Sequence, residues 1–200
     1  MNLPPQLLLA SQSPRRAELL RQLGLRFVVA LADVAEGAQA GEAAEDYARR
    51  IALAKARAGW AASDGSLPAL GADTDVVLDG RILGKPRDRS DALAMLAALA
   101  GREHEVYSAV ALVQGGREAL SLSVTKVRFG AITPDTAAAY WASGEPADKA
   151  GAYGIQGLGA LFVRAIEGSY SGVVGLPLYE TAALLKQFGI QPFSLSPSHP

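Results

Sequence analysis

Short apolar runs that suit buried strands alternate along this chain with segments that suit helices, and hairpin signals interrupt the alternation in its middle. Residues 7–10 are apolar, and Ser13 and Pro14 then supply a helix N-cap followed by proline at the first helical position. Asp79 and Gly80, between two apolar runs, form a two-residue hairpin signal. This order of segments predicts a mixed α/β fold.

The same patterning predicts the bounds of most elements. Strands are expected at residues 7–10, 26–30, 76–78, 81–83, 106–113, 119–127 and 161–166. Helices are expected from Ser13 to Gly24 and at residues 43–61, 91–100, 133–141 and 177–188. Residues 143–159 are predicted to be a long glycine-rich loop, residues 168–172 a turn, and residues 194–200 a frayed tail. Because no linker separates these segments, residues 1–200 are expected to form one domain.

Charge and composition exclude several classes of protein. Lys and Arg number 19 against 20 Asp and Glu, so the chain lacks the basic excess that nucleic-acid binding usually needs. The absence of cysteine excludes disulfides, thiolate zinc sites and a cysteine nucleophile. No apolar run approaches the roughly 20 residues of a membrane helix, and residues 1–6 do not resemble a signal peptide. A cytoplasmic protein without nucleic-acid or membrane partners is therefore expected.

The strongest candidate for an anion site follows the first predicted strand. Ser11 and Ser13 precede Arg15 and Arg16, which lie in the first turn of a predicted helix. Two arginines are unfavourable beside the positive end of a helix dipole unless an anion is present, and free backbone N–H groups there bind anions. Arginine also offers forked donors that match phosphate. This pattern favours phosphate binding over two merely solvated side chains.

A second group of candidates surrounds Asp73, near the end of a predicted strand. A carboxylate at this place can hold a divalent metal or act as a general base on water, whereas Asp75 and Asp79 are interpreted as turn residues. Lys85 is kept extended by the proline that follows it and can point into a pocket. For Lys85, as for Lys55 on an alanine-rich helix face, a solvated lysine is the plainer interpretation.

The glycine-rich loop is the third candidate region. It carries Lys149, Tyr153 and Gln156 among five glycines, which let backbone amides approach a ligand closely. His104 and His199 lack metal-ligand spacing and are interpreted as inert. Neither a Walker loop nor a dinucleotide-binding glycine motif is present. The residues alone thus predict an α/β domain with a phosphate site and metal-assisted hydrolysis as one possible chemistry.

Several longer motifs resemble the Maf family of nucleoside triphosphate pyrophosphatases. They are LASQSPRR at residues 9–16, GADT at 71–74, GKP at 84–86, DKAGAYGIQG at 148–157, GSY at 168–170 and VGLP at 174–177. The order and spacing match the family from about residue 7 to residue 188. The resemblance implies a two-lobed fold, similar to that of inosine triphosphate pyrophosphatases, in which a central elongated mixed sheet with flanking helices borders a cleft.

The resemblance also implies an activity and roles for residues. The family cleaves between the α- and β-phosphates with a divalent metal, Mg²⁺ or Mn²⁺. At the matching positions, Asp73 is implied as the catalytic carboxylate, acting as proton acceptor or metal ligand, and Glu36 as a second metal ligand, although Ala35 replaces the other acid of the family's pair. The residues expected to bind the substrate are Ser11, Ser13, Arg15, Arg16, Lys55, Thr74, Lys85, Lys149 and Gln156.

The family divides by substrate into a branch for dTTP and UTP and a branch for N7-methyl-GTP. Arg15, Thr74 and Gln156 together resemble the dTTP/UTP branch. The Gln156 amide offers a donor and an acceptor that suit the edge of thymine or uracil. The alternatives are the sister branch and a nucleotide-binding regulator of cell division with incidental hydrolysis. Members of the family often dimerise, so the resemblance also leaves a homodimer open.

Overall fold

The computed structural model describes residues 3–31 and 33–193 of the chain. Strands β1 to β7 span Leu7–Leu9, Phe27–Val29, Ala69–Leu78, Arg81–Leu83, Glu103–Gln114, Arg117–Phe129 and Val163–Glu167. Helices α1 to α6 span Pro14–Gln22, Ala44–Ala61, Arg89–Leu99, Pro134–Ala142, Tyr170–Val174 and Leu178–Gln187. Three short 3-10 helices lie between α4 and β7, at Glu145–Asp148, Ala150–Ala152 and Gly157–Phe162. The predicted tail at residues 194–200, with His199, lies outside the described residues.

Within these described ranges, seven strands form one mixed sheet. Its order is β2-β1-β3-β5-β6-β7, and β4 pairs with β3 beside this path. β1 runs parallel to β2 and β3, whereas β3, β5, β6 and β7 pair antiparallel in succession. The long β5–β6 hairpin turns at Gly115 and Gly116, both of which have positive φ. The sheet and its flanking helices confirm the predicted mixed α/β fold.

One face of the sheet carries two separate apolar clusters. The first lies against α1, α5 and α6 and includes Leu70 of β3 and Leu112 of β5. The second lies against α3 and α4 and includes Val76, further along β3, and Val106 of β5. Because side chains alternate across a strand, Leu70 and Val76 share a face, and Thr74 lies on that face between the two clusters. The clusters are the cores of two lobes, as the resemblance implies.

Helix α2 covers the other face of the sheet. The residues at this contact are Ala48, Ala52 and Ala56 on α2 and Ala109, Ala111 and Val113 on β5. These small side chains let the helix lie very close to the sheet, and a Cβ atom on Gly71 would collide with the backbone of Ala52 and Ala56. Close packing brings Lys55 of α2 over β3. In the part of the chain that the structure describes, no helix is long and apolar enough to cross a membrane.

On the edge of β3 that faces away from β5, strand pairing is interrupted, which leaves a gap between two partner strands. β1 pairs with this edge at Ala69 and Leu70, and β4 pairs with it from Val76 onward. Among the described strands, only β5 pairs with residues 71–75, which lie between these two segments. Asp73 lies at the centre of the gap. The prediction that Asp73 is near the end of its strand is wrong, because the hairpin with β4 extends β3 to Leu78.

Two loop predictions are also wrong. The glycine-rich segment 143–159 is not a plain loop, because it contains two of the short 3-10 helices and the start of the third. Residues 168–172 are not a simple turn but lead into α5, whose N-cap Ser169 accepts a hydrogen bond of 3.0 Å from the backbone N–H of Gly172. In both places, backbone N–H groups that donate to side-chain oxygens support short helical turns that hydrophobic periodicity does not reveal.

Candidate active site

A cleft of 810 Å³ opens at the gap in the β3 edge, between the two lobes. Its walls come from the β1–α1 turn, the loop before α2, α2 itself, the middle of β3, the segment after β4 and the glycine-rich segment. All eleven predicted site residues line it: Ser11, Ser13, Arg15, Arg16, Glu36, Lys55, Asp73, Thr74, Lys85, Lys149 and Gln156. The structure therefore brings these residues to one space, while their roles stay predictions.

The β1–α1 turn holds Arg16 in a fixed position. Ser13 caps α1, as predicted, by accepting a hydrogen bond of 3.4 Å from the backbone N–H of Arg16. The Arg16 side chain donates from Nε to the carbonyl oxygen of Gly175 at 2.9 Å and from Nη1 to the hydroxyl of Ser11 at 3.1 Å. The Thr74 hydroxyl donates to the same Gly175 oxygen at 3.3 Å. Arg16 thus ties the β1–α1 turn to the end of α5 at the floor of the cleft, where Thr74 of β3 bonds the same carbonyl oxygen.

Arg15 and Arg16 differ in how freely they can move toward a ligand. Burial lowers the pKa of Arg16, and the negative charges of Asp73 and Glu36 offset part of that effect. The side chain of Arg15 is 31% exposed, and it forms an ion pair of 3.4 Å with Asp148 across the cleft. Arg15 can therefore turn toward an anion, whereas Arg16 presents a positive charge whose position the fold has already set.

The centre of the cleft is an ion-paired group on α2, β3 and the loop before α2. The Lys55 ammonium lies 2.7 Å from Oδ1 of Asp73 and 2.5 Å from Oε1 of Glu36. The side chains of Lys55 and Asp73 are only 11% and 10% exposed, so the interpretation of Lys55 as a solvated lysine is wrong. Burial alone would raise the pKa of Glu36, but its hydrogen bond to Lys55 and nearby positive charges lower it overall.

Asp75 is a cleft residue that the sequence interpretation missed. The sequence predicts a turn residue here, and that prediction is wrong: Asp75 lies inside β3, where it is 7% exposed and lines the cleft beside Asp73. Among the described residues, its Oδ2 atom has no hydrogen-bond partner. Burial, followed by the neighbouring charge of Asp73, raises the pKa of Asp75 to about 8. A two-residue spacing within one strand would have placed both carboxylates on one face, had the length of β3 been recognised.

Lys85 reaches the cleft because the segment after β4 is tied to the glycine-rich segment. The carbonyl oxygen of Gly84 accepts a hydrogen bond of 3.0 Å from the backbone N–H of Gly151. Gly151 has φ of 66°, and a Cβ atom there would lie 2.8 Å from Cγ1 of Val76. Only glycine allows this close packing on β3, so Gly151 fixes the place where Lys85 enters the cleft.

The glycine-rich segment crosses between the lobes and presents Gln156. Tyr153 packs in the second apolar cluster, and Ile155 packs in the first. Gln156, the next residue, is exposed and lines the cleft. Lys149 donates to the Asp148 carboxylate at 2.7 Å. The segment is therefore anchored on both sides of the cleft, with the exposed side chain of Gln156 at its rim.

Four further residues can be compared with the sequence predictions: Asp79, His104, Asp33 and Tyr47. Asp79 lies in the β3–β4 turn with φ of 52°, as its hairpin signal predicts. His104 is buried, 2.8 Å from the hydroxyl of Tyr153, and burial lowers its pKa to about 4. Asp33 and Tyr47 line the cleft but were missed. The eight-residue spacing between Tyr47 and Lys55, about two helical turns, is the signal that would have found Tyr47.

Comparison with known proteins gives consistent matches. A family model described as "Maf-like protein" matches residues 6–188. A dTTP/UTP pyrophosphatase of Bordetella pertussis is 55% identical over 195 residues, which cover 94% of each chain. The dTTP/UTP pyrophosphatase of Saccharophagus degradans is 53% identical, over 92% of this chain and 89% of its own length. That of Methylococcus capsulatus is 54% identical, over 92% of each chain.

One solved structure also aligns with most of the chain. It is a nucleoside-triphosphatase / dITP/XTP pyrophosphatase from Mycobacterium abscessus, with 23% identity and a TM-score of 0.44. The alignment covers 91% of this chain and 94% of that one. At these values the likeness is loose.

Proposed function

This chain belongs to the Maf-like protein family, and from that premise we propose that it hydrolyses dTTP and UTP to the nucleoside monophosphate and pyrophosphate. The observation that carries the proposal is the position of Asp73, a carboxylate at the centre of a cleft that five cationic side chains also line. Relatives more than half identical to this chain are named dTTP/UTP pyrophosphatases. A small-molecule nucleotide is accordingly the proposed partner, in the cytoplasm.

The charges of the cleft suit a nucleotide that arrives with a cation. The cationic residues are Arg15, Arg16, Lys55, Lys85 and Lys149, and the acidic residues are Asp33, Glu36, Asp73, Asp75 and Asp148. Five minus five gives no net formal charge, or +1 when Asp75, with its pKa of about 8, is protonated. A triphosphate brings several negative charges that the protein alone does not neutralise, and a divalent cation bound with the nucleotide would offset two of them.

The acidic residues fit such a metal. Carboxylate oxygens are the ligands that Mg²⁺ and Mn²⁺ prefer, and the carboxylates of Asp73 and Glu36 both line the cleft. Residues 3–31 and 33–193 contain no group of three or more acidic or histidine side chains arranged as a metal site. Asp73 and Glu36 would hold the metal together with phosphate oxygens, sharing their carboxylates with Lys55. When bound, the metal would polarise the phosphate and offset its charge.

Asp73, Arg16 and Lys55 have different roles in the proposed hydrolysis. A water oxygen attacks the α-phosphorus, the bond from that phosphorus to the bridging oxygen breaks, and pyrophosphate leaves with that oxygen. Asp73 accepts the proton of the attacking water. Arg16 and Lys55, both held in place by hydrogen bonds, stabilise negative charge that grows in the transition state without having to reorganise.

Selection of the base is assigned to the rim of the cleft. The exposed Gln156 amide can donate to and accept from the edge of thymine or uracil at once. A base that displaces water from this amide without replacing its hydrogen bonds is disfavoured, because polar groups left unpaired away from water cost free energy. Arg15 and Thr74, the other two specificity residues, lie at the start of α1 and on β3.

Release of pyrophosphate from dTTP, UTP, CTP, GTP and N7-methyl-GTP, measured with Mg²⁺ and with Mn²⁺, tests the proposal. We expect fast release from dTTP and UTP. Asp73→Asn should lose a factor of about 100 or more in turnover but still bind nucleotide. Asp79→Asn is the matched control, because Asp79 lies in the turn of the same hairpin and is not among the cleft residues. Release from N7-methyl-GTP alone would assign the sister branch, and no release at all would contradict an enzymatic function.

A further inference from the structure

The carboxylate of Glu145 binds the turn that presents Gln156. Glu145 begins the first 3-10 helix of the glycine-rich segment, directly after Gly144. Its Oε2 atom accepts a hydrogen bond of 2.9 Å from the backbone N–H of Leu158, and its Oε1 atom accepts one of 3.0 Å from the N–H of Gly159. One carboxylate therefore holds two consecutive amides just after Gln156.

The hydroxyl of Tyr140 extends this arrangement to the other side of Gln156. It donates to Oε1 of Glu145 at 2.8 Å and accepts a hydrogen bond of 3.2 Å from the backbone N–H of Gly154. The Tyr140 ring is buried and packs edge-on against Phe162, so the hydroxyl is itself fixed. Backbone groups on both sides of Gln156 are thus tied to one acid–phenol pair.

The turn has little room to take another path around this pair. A Cβ atom on Gly157, where φ is 71°, would lie 2.5 Å from Oε2 of Glu145. A Cβ atom on Gly159 would collide with the backbone oxygen of Gly154. Burial alone would raise the pKa of Glu145, but its hydrogen bonds from Leu158, Gly159 and Tyr140 lower it overall. Glu145 is therefore a charged acceptor at neutral pH.

We propose that Glu145 is the positioning residue that sets base selectivity, because it fixes the backbone from which Gln156 reaches the cleft. Glu145 is not one of the residues that line the cleft, so it acts through the turn and not on the nucleotide. This inference rests on the proposed function, since it assumes that Gln156 contacts the base. It assigns base selection to a hydrogen-bonded network outside the cleft and leaves phosphate chemistry to Asp73 and its neighbours.

Two variants remove the network in different ways. Glu145→Gln keeps the size of the side chain but can turn an amide N–H donor toward backbone N–H groups. Tyr140→Phe removes only the hydroxyl between Glu145 and Gly154, and it keeps the proposal testable if Glu145→Gln folds poorly. For both, we expect the preference for dTTP over CTP in kcat/KM to fall by about tenfold, mainly through KM, as for the loss of one hydrogen bond to a ligand.

A double-mutant cycle separates positioning from general damage. Gln156→Ala alone should lower the dTTP-to-CTP preference, and Glu145→Gln should lower it no further when Gln156 is already alanine. Glu118→Gln is the control, because Glu118 is another ion-paired glutamate but faces Arg57 outside the cleft. It should leave the preference unchanged.

Affinities for dTTP and CTP, measured for the same variants, distinguish failure of this inference from failure of the proposed function. If the wild-type protein released no pyrophosphate, the proposed function would fail, and the same cycle would be evaluated on the ratio of the two affinities. Effects of Glu145→Gln and Gln156→Ala that simply add would overturn the inference. A fall in kcat for Glu145→Gln with an unchanged dTTP-to-CTP preference would also overturn it. The same holds if the wild-type protein bound dTTP and CTP equally well.

Discussion

The Lys55 ammonium lies 2.7 Å from the Asp73 carboxylate, across the contact between α2 and β3. Both side chains are largely buried, and Lys55 also pairs with Glu36. This relationship exists because α2 lies so close to the sheet that no side chain larger than hydrogen fits at Gly71. The packing of small residues therefore determines where the central charges of the cleft meet.

Replacing Lys55 by methionine should destabilise the fold and abolish turnover. The change leaves the buried Asp73 carboxylate without its closest cation, and breaking a buried ion pair on one side costs roughly 3 kcal/mol or more. Urea unfolding would measure this loss. Lys126→Met, at an exposed position of β6, should cost far less. The double variant Lys55→Met/Asp73→Asn should regain part of the stability; if it were no more stable than Lys55→Met, the pair would not be the cause.

Alanine at Gly71 should force α2 away from β3. The added methyl group would collide with the backbone of Ala52 and Ala56, neither of which can rotate away as a side chain could. We expect a loss of roughly 1–3 kcal/mol in the free energy of unfolding, as for other overpacked cores, together with a large fall in kcat/KM because Lys55 and Asp73 separate. Thermal unfolding and dTTP turnover would measure the two effects.

Gly37→Ala provides the comparison for this prediction. A Cβ atom on Gly37 meets nothing within 4 Å, and its φ is not positive. The variant should keep the stability and turnover of the wild type. Equal behaviour of the two glycine variants would show that the close approach of α2 is not what holds the site together.

Much of the fold was predictable because local signals and long-range packing agree. Ser13 and Pro14 predict the start of α1, and the helix begins at Pro14 with Ser13 as its N-cap. Asp79 and Gly80 predict the β3–β4 hairpin in the same way. The prediction failed where a turn depends on contacts that are distant in sequence. Glu145 is the clearest example, since its partners lie 13 and 14 residues away.

The members of the site were more predictable than its internal geometry. Motifs brought Arg15, Asp73 and Gln156 to attention because glycine, proline and charge cluster around them. Nothing in the sequence showed that Lys55 and Asp73 form a buried pair, because that depends on how closely α2 approaches the sheet. Asp75 was missed for a related reason: a second aspartate after Asp73 resembles a turn until the length of β3 is known.

Substitution of Arg16 by lysine should impair both activity and stability, although it keeps the positive charge. The guanidinium donates to the Gly175 carbonyl and to the Ser11 hydroxyl at the same time, and a single ammonium group does not reproduce that fork. We expect Arg16→Lys to lower kcat/KM for dTTP by at least about tenfold and to destabilise the fold by about 1–2 kcal/mol. Steady-state kinetics and urea unfolding would measure both.

Arg15→Lys is the matched substitution at the neighbouring position. Because Arg15 is partly exposed and its ion pair with Asp148 is long, this variant should keep the wild-type free energy of unfolding and change mainly KM. If both lysine variants lost stability equally, the anchoring of Arg16 by Ser11 and Gly175 would not be the feature that distinguishes the two arginines.

Protonation of His104 should weaken the fold in mild acid. Burial lowers its pKa from 6.5 to about 4, so the unfolded chain takes up this proton before the folded protein does. The stability that the neutral ring contributes is complete above pH 6.5 and is lost as the pH falls toward 4, by at most about 1.4 kcal/mol per pH unit. His104→Phe keeps an aromatic ring beside Phe129 and Tyr153 but cannot titrate. Urea unfolding of both proteins from pH 7 to pH 4.5 should show a steeper decline for the wild type, and parallel declines would assign the acid sensitivity to other groups.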